Sequence, residues 1–489
     1  MLVNLKEIDK YEAVIGLEVH VQLSTKSKAF CYDSAQYGSK ANNHISPVSL
    51  GLPGALPRAN EAIVSYAVKL GLAIGSTINK YNFFDRKNYF YADLPKGYQI
   101  TQDNEPICKG GTVKIRLANG HQKNIILNRI HIEEDAGKSI HDVDENYSLI
   151  DLNRAGVSLL EVVTEPMIAT GEEAAAYLSE LRKLVRYLNI CDGNMEEGSM
   201  RCDANVSIRL KGDTALGNRC EVKNLNSIKN VQRAIEHEIS RQIQLSEAGV
   251  YIHQNTLNFD ALTGITSVLR SKEMANDYRY FPEPDLLPLH LSDEYIEAIK
   301  QTMPALPEAL YQQFICQFGL PAYDALVLTA DKEMAYYFLS LTALVSNYKA
   351  ASNWVMGTIR SYLNENNIGF DKFPISAQQM ALLINKVETG EINNNQAKDK
   401  VFVALLKHPT QNINELLKQL NVLIETSTST IDGFIITAIN KFPDKVKEYN
   451  TGKKGVLGLF MGEVMKISGG KIDPKSANKL LVQQLEKLK

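Results

Sequence analysis

Residues Met195 to Arg209 read MEEGSMRCDANVSIR, and from Arg201 onward polar and apolar side chains alternate without a break. Arg201, Asp203, Asn205, Ser207 and Arg209 share one parity, and Cys202, Ala204, Val206, Ile208 and Leu210 the other. Period two over this length is a β-strand with one apolar face. Its other face lines up a carboxylate, an amide, a hydroxyl and two guanidinium groups, a set suited to holding something charged. An edge strand with a solvated, self-neutralising face has the same pattern. Upstream, Glu196 to Ser199 form a polar turn at the strand entrance.

Two more stretches repeat the pattern. Leu17, Val19, Val21 and Leu23 alternate with Glu18, His20 and Gln22. A glutamate and a histidine two apart on a strand project side by side, a spacing suited to a shared hard cation or to proton transfer; a half-exposed strand with a chance histidine reads the same way. In Asp151 to Pro166, Leu159, Glu161, Val163 and Glu165 share a face. A glutamate amid Leu-Leu-Glu-Val-Val is costly to bury unless it is paired or binds a cation. A fourth strand, within Ile125 to Ser139, runs into the acidic turn Glu133-Glu134-Asp135. Its Gly137-Lys138-Ser139 is no phosphate loop, because Ile132 stands where the first glycine of that motif belongs.

Between the strands, Thr170 and Glu173 have capping-box spacing ahead of a helix to Ile190, and a second amphipathic helix spans Ser227 to Ser246. Lys223 and Asn224 stand at its N-terminal approach, where anions are favoured. In Phe83 to Gln102, tyrosines and phenylalanines interleave with Arg86, Lys87 and Lys96, a mix found in packed hairpins and at nucleotide contacts. The proline-rich DYRYFPEPDLLPL, Asp277 to Leu289, reads as an irregular crossing segment that closes a domain.

From about 294 helical spacing takes over. The organisation expected is α+β: a mixed-sheet domain over 1–293, a helical domain over 294–408 and a small helical tail over 409–489. Lys441 to Lys489 holds eleven lysines against five acids and no arginine, the pattern of an RNA-facing tail or of a solvated helix face. Net charge is only −3, so nucleic-acid contact needs such a local patch. Six scattered cysteines point to a reducing compartment, and no apolar run approaches a membrane span, so a cytoplasmic protein without membrane contact is expected.

IGLEVH, FDRKNYFY, HIEEDAGKS, DLNRAGVSLLEVVTEP, MEEGSMRCDANVSIR, EVKNLNS and DYRYFPEPD, in that order, resemble the B subunit of the tRNA-dependent amidotransferases across essentially the whole chain. The resemblance implies an enzyme subunit that phosphorylates the side-chain carboxylate of misacylated Glu-tRNA(Gln) or Asp-tRNA(Asn) with ATP, after which ammonia displaces the phosphate. It implies an amidase A subunit and a small C subunit as partners, a catalytic cradle for the first domain and a tRNA-holding tail. Carried over by position, the Mg²⁺ and phosphate site is Glu18, His20, Glu134, Glu161 and Asp203. Phosphate or substrate contacts fall to Arg201, Asn205, Lys223 and Asn224, and the substrate side or ammonia path to Arg86, Lys87 and Lys96. At Glu134 strand parity disagrees, since alternation from Ile126, Ile130 and Ile132 turns it inward and offers His131, Glu133 and Asp135 instead. The resemblance decides for Glu134 on the ground that parity fails at the turn. Many family members carry a four-cysteine zinc site; here Cys31 remains and the other positions look like Asp33, Ser46 and Ser49, too few thiolates for zinc, so no zinc is expected. The rival class is a non-catalytic tRNA-binding scaffold, against which all five carboxylate and imidazole positions stand.

Overall fold

The computed structural model describes residues 9–141, 143–271, 278–425 and 427–488. Asp277, first residue of the proline-rich segment, and the start of the chain to residue 8 lie outside it. The described residues form two compact units, Met1–Leu306 and Pro307–Lys489.

The first unit is built on a mixed sheet. In chain order its strands are β1 (Tyr11–Gln22), β2 (Thr77–Ile78), β3 (Cys108–Lys109), β4 (Thr112–Arg116), β5 (Gln122–Glu134), β6 (Ser158–Thr164), β7 (Met200–Leu210), β8 (Cys220–Lys223), β9 (Asn255–Asp260) and β10 (Ile265–Ser271). They lie in the order β10-β9-β8-β7-β1-β6-β5-β3-β2, with β4 paired to β5. The β8–β9 pair is parallel and the other pairs antiparallel. The stretch that begins at Met200 is thus no edge strand; it lies beside β1 at the centre.

Register makes the two faces coherent. Glu18 stands opposite Asp203, and His20 opposite both Arg201 and Glu161. Glu161 in turn faces His131, and Leu159 faces Glu133. Opposed residues on neighbouring strands share a face, so one parity of four strands forms a single polar floor. The other parity, including Leu17, Val19, Val21, Ile130, Ile132, Leu160, Val162, Cys202, Ala204 and Val206, is buried in one core. Two helices, α1 (Gly171–Tyr187) and α2 (Ile228–Glu247), contribute to this core and pack on one another, with α2 lying against β7. Their N-caps follow the sequence: Thr170 Oγ1 accepts Glu173 N at 3.0 Å and Ser227 Oγ accepts Asn230 N at 3.1 Å.

The first unit ends at Leu306 rather than at 293. The helix Asp293–Gln301 buries Ile299 in the sheet domain's core, with Met303 and Leu306 against it. The amphipathic spacing after 293 is legible, but not which core its apolar side covers. The second unit is helical from Pro307–Cys316 to Pro474–Lys487, and its last part has its own apolar cluster around Ile435, Phe460, Val464 and Leu481. Four tail lysines, 441, 445, 447 and 453, face acids at 2.6–3.7 Å, so part of the local positive excess is neutralised within the tail.

Candidate active site

Four side chains meet on the polar floor. His20 Nε2 lies 3.3 Å from Glu133 Oε1 and 3.5 Å from Glu161 Oε2, and His131 Nε2 lies 3.3 Å from Glu161 Oε2 and 3.9 Å from Glu133 Oε2. Glu133 is 2% exposed and Glu161 9%. Burial alone would neutralise these groups, yet each imidazole sits between two carboxylates. Burial lowers the His20 pKa, but hydrogen bonds to Glu133 and Glu161 outweigh it and carry it to about 10. For His131 burial is again overcome, by the charge of Glu161 and the bond to Glu133, to about 9. Burial pushes Glu133 up and the bonds from His131 and His20 bring it down to about 2, while Glu161 is held well below its usual range against burial by the His131 charge.

One prediction follows for the metal-free protein. A histidine raised from 6.5 to about 10 contributes stability that is complete below 6.5 and lost as pH rises through 10. A glutamate lowered from 4.5 to about 2 contributes stability present above 4.5 and lost as pH falls through 2. Urea unfolding in EDTA is expected to show stability falling steadily between pH 6.5 and 10. In His20→Gln that decline should flatten; an equal decline would mean the imidazole is not the group responsible.

His20, His131 and Glu161 open onto a cavity of about 310 Å³ that also takes in Glu18, Asp203, Asn205, Glu221 and Lys223; the buried Glu133 does not line it. Asn205 Nδ2 donates to Glu18 Oε1 at 2.9 Å. Lys223 Nζ bridges Asp203 and, at 2.9 Å, Glu221. Burial raises the Glu18 pKa, as do the charges of Glu161, Glu221 and Asp203, with Lys223 opposing. Cations line the same space: Lys87, Arg129 and Arg219. Arg129 has its Nε buried without a hydrogen-bond partner among the described residues. Lys87 Nζ lies 4.9 Å from the centre of the Tyr278 ring, and Tyr280 completes that wall.

His20, Glu133 and Glu161 offer one nitrogen and two carboxylate oxygens within 4.8 Å of one another. This donor set fits a hard divalent cation such as Mg²⁺, whose charge would replace that of the two imidazolium groups now balancing the carboxylates.

Against this geometry stand the sequence comparisons. A family model described as the GatB/GatE catalytic domain matches residues 13–297, and one described as the GatB domain matches 336–485. B subunits of aspartyl/glutamyl-tRNA(Asn/Gln) amidotransferases are similar over nearly their whole length: that of Chlorobium phaeobacteroides is 46% identical over 97% of this chain and 99% of its own. That of Thermodesulfovibrio yellowstonii is 45% identical over 98% and 100%. The chain belongs to the GatB family.

Within this GatB chain the expected residues separate into three groups. Glu18, His20, Glu161, Asp203, Asn205, Lys223 and Lys87 reach the cavity. Glu134 does not: it occupies the opposite parity of β5, where its carboxylate binds Lys96 and accepts Ile100 N at 2.9 Å. Parity holds to the end of β5, so Glu133 and not Glu134 stands beside His20 and Glu161. The structure also pairs Arg86 with Glu283 at 2.7 Å and Asp285 at 3.0 Å, and Arg201 with Asp135 at 2.6 Å. Asn224 is turned aside by a left-handed φ of +66° and donates to the Phe259 carbonyl at 3.4 Å. None of these four residues, nor Lys96, lines the cavity. Arg129, one register step from His131 on the same parity, was findable by the alternation that found Glu161. Nothing in the sequence marks Arg219, while Tyr278 and Tyr280 stand in the DYRYFPEPD motif, read above only as an irregular crossing segment and a mark of the resemblance.

Cys31, Asp33, Ser46 and Ser49 do come together. Asp33 Oδ2 accepts from Ser49 Oγ at 2.6 Å and Cys31 Sγ at 3.2 Å, and Ser49 Oγ accepts Ser46 N at 2.9 Å. The cation beside them is Lys28, whose Nζ lies 3.9 Å from Asp33.

Proposed function

We propose that this chain is the B subunit of an amidotransferase that activates the side-chain carboxylate of misacylated Glu-tRNA(Gln) or Asp-tRNA(Asn) with ATP. The observation that carries the reading is the convergence of carboxylates able to hold a divalent cation with cations facing the same cavity. A phosphoryl group in flight carries negative charge on its oxygens, which carboxylates alone would repel. Phosphoryl transfer therefore needs both halves of this lining.

His20, Glu133, Glu161, Glu18 and Asp203 would hold Mg²⁺, which when bound neutralises phosphate charge as transfer proceeds. A substrate carboxylate oxygen attacks the γ-phosphorus, the bond to the bridging oxygen breaks and ADP leaves. Ammonia then adds to the acyl carbon, loses a proton, and inorganic phosphate departs as the amide forms. Arg129 and Lys87, which line the cavity and are partly withdrawn from water, would hold phosphate or carboxylate oxygens the more strongly for it. Lys223 fixes the Asp203 carboxylate. The ammonia would come from a glutaminase A subunit, with a small C subunit completing the assembly, and tail lysines would meet tRNA phosphates. No described helix is long and apolar enough to cross a membrane.

The test is reconstituted amide formation from Glu-tRNA(Gln), ATP, Mg²⁺ and free ammonia. Asp203→Asn and Glu18→Gln are each expected to lower the rate about a hundredfold or more, while tRNA affinity measured by filter binding stays near wild type. Undiminished turnover in both variants would leave only a tRNA-binding scaffold.

A further inference from the structure

Arg86 and Asn88 belong to a small sheet whose strands lie in the order Phe281–Pro282, Asp85–Asn88, Tyr98–Thr101. Successive side chains of a strand point to opposite sides. Lys87 turns into the cavity of the carboxylates, so Arg86 and Asn88 turn away from it. What they meet there is the proline-rich crossing segment. Arg86 Nε and Nη2 donate to the two carboxylate oxygens of Glu283 at 2.7 and 2.8 Å, and Nη2 also reaches Asp285 at 3.0 Å. The Glu283 side chain is fully buried, and the guanidinium lies 4.2 Å from the centre of the Tyr98 ring. Asn88 grips the same segment further upstream: its backbone N–H donates to the Tyr278 carbonyl at 2.9 Å and its side-chain amide to the Arg279 carbonyl at 2.8 Å. Glu283 N, bonded to the Phe84 carbonyl at 2.8 Å, completes the clamp.

The clamped stretch carries the two tyrosines that line the cavity. Tyr278 is half-buried and Tyr280 36% exposed, so each ring has one side on the cavity and the other on solvent. Their ring centres lie 6.0 Å apart, and Tyr278 meets Tyr89 at 6.2 Å. Arg279 between them has a left-handed φ of +46°, a conformation that a residue with a side chain keeps only where its surroundings impose it. The wall therefore depends on its clamp. A forked guanidinium on a buried carboxylate is a directional contact that an ammonium in the same place does not reproduce.

The reaction gives such a wall a use. When an acyl phosphate meets water, the water oxygen adds to the acyl carbon, the bond to the phosphate oxygen breaks and a proton is released; the carboxylate returns with inorganic phosphate, and ATP is consumed without an amide. We propose that Arg86 is a positioning residue that, through Glu283 and Asp285, holds Tyr278 and Tyr280 over the cavity so that the acyl phosphate meets ammonia rather than water. The inference rests on the phosphoryl-transfer reading above and adds what protects its intermediate.

Arg86→Met removes the clamp and Tyr278→Ala removes part of the wall with the clamp in place, so failure of one to fold leaves the other. In the reconstituted complex with Glu-tRNA(Gln), ATP and Mg²⁺, ADP and amide are measured side by side at low and at high free ammonia. In both variants the ratio of ADP to amide is expected to rise about tenfold at low ammonia and to return toward wild type at high ammonia, where ammonia outruns water. Arg86→Lys, which keeps the charge but not the fork, should lie between. Amide hydrogen exchange over 278–286 should quicken in the Arg86 variants, with Mn²⁺ affinity at the wild-type value. A wild-type ratio in folded Arg86→Met and Tyr278→Ala overturns the inference. So does unchanged exchange over 278–286 in Arg86→Met, or a raised ratio accompanied by loss of Mn²⁺ binding, which would mean general damage to the floor. A wild-type complex that forms no amide with ATP would strike the parent reading instead.

Discussion

Glu133→Gln is expected to lower ATP-dependent amide formation about a hundredfold or more, whereas Glu134→Gln should retain most of it. The two residues are adjacent, but the pleat sends them to opposite faces. Glu133 stands between His20 and His131. An amide in its place keeps the shape, removes one of two charges holding the imidazolium groups, and removes an anionic oxygen from the metal-binding trio. Glu134 meets Lys96 and the Ile100 N–H instead. Its loss leaves a nearly buried ammonium short of a partner, a cost of about 1–3 kcal/mol in stability. The assay is turnover alongside Mn²⁺ affinity: Glu133→Gln should weaken Mn²⁺ binding, and Glu134→Gln should lower the melting temperature with Mn²⁺ affinity unchanged. A folded Glu134→Gln protein as inactive as Glu133→Gln would return the ligand role to Glu134.

This pair also shows how far local pattern reaches. Alternation alone places Glu18, His20, Glu161 and Asp203 on one face, because burying four apolar rows under helices forces four polar rows to share the other side. The same alternation names Glu133, and Glu134 could replace it only if the strand had already ended; β5 in fact runs through Glu134. The break in β5 comes earlier. Val163 pairs with Arg129 and Thr164 with Leu127, so Asn128 is passed over. That bulge explains why Leu127 and Ile130 are both buried although their parities differ. Polar clamps are less legible. Arg201 is expected at phosphate or substrate and Arg86 at the substrate side or ammonia path, but their carboxylate partners, Asp135 and Glu283, lie 66 and 197 residues away. Local pattern carries no information on pairings at that range, and none on the tyrosines that close the cavity.

The largest stability effect is expected at Asp33. Lys28 is fully buried, and its ammonium donates to the His44 carbonyl at 2.6 Å and the Leu152 carbonyl at 3.3 Å. Burial lowers its pKa, and the nearest opposing charge is Asp33. Asp33 is drawn below its usual range despite burial by hydrogen bonds from Ser49, Ser46 and Cys31 and by the Lys28 charge. In Asp33→Ala the ammonium keeps its carbonyls but loses its counter-charge, and the donors around Asp33 lose their acceptor; removing one partner of a buried ion pair costs about 3–5 kcal/mol. Lys28→Met removes the buried cation and leaves a carboxylate still bonded by Ser49 and Cys31, so it should cost less. The double variant should cost less than the two single changes summed, because neither charge is then left alone. Amide hydrogen exchange locates the effect: protection should fall in the segments 28–60 and 150–158, which this cluster joins, ahead of the strands beneath the active site. Additive losses would mean that Lys28 and Asp33 act separately. Coupled losses would mean that a lysine and an aspartate join here the loops whose four ligand positions offer a divalent metal only one thiolate.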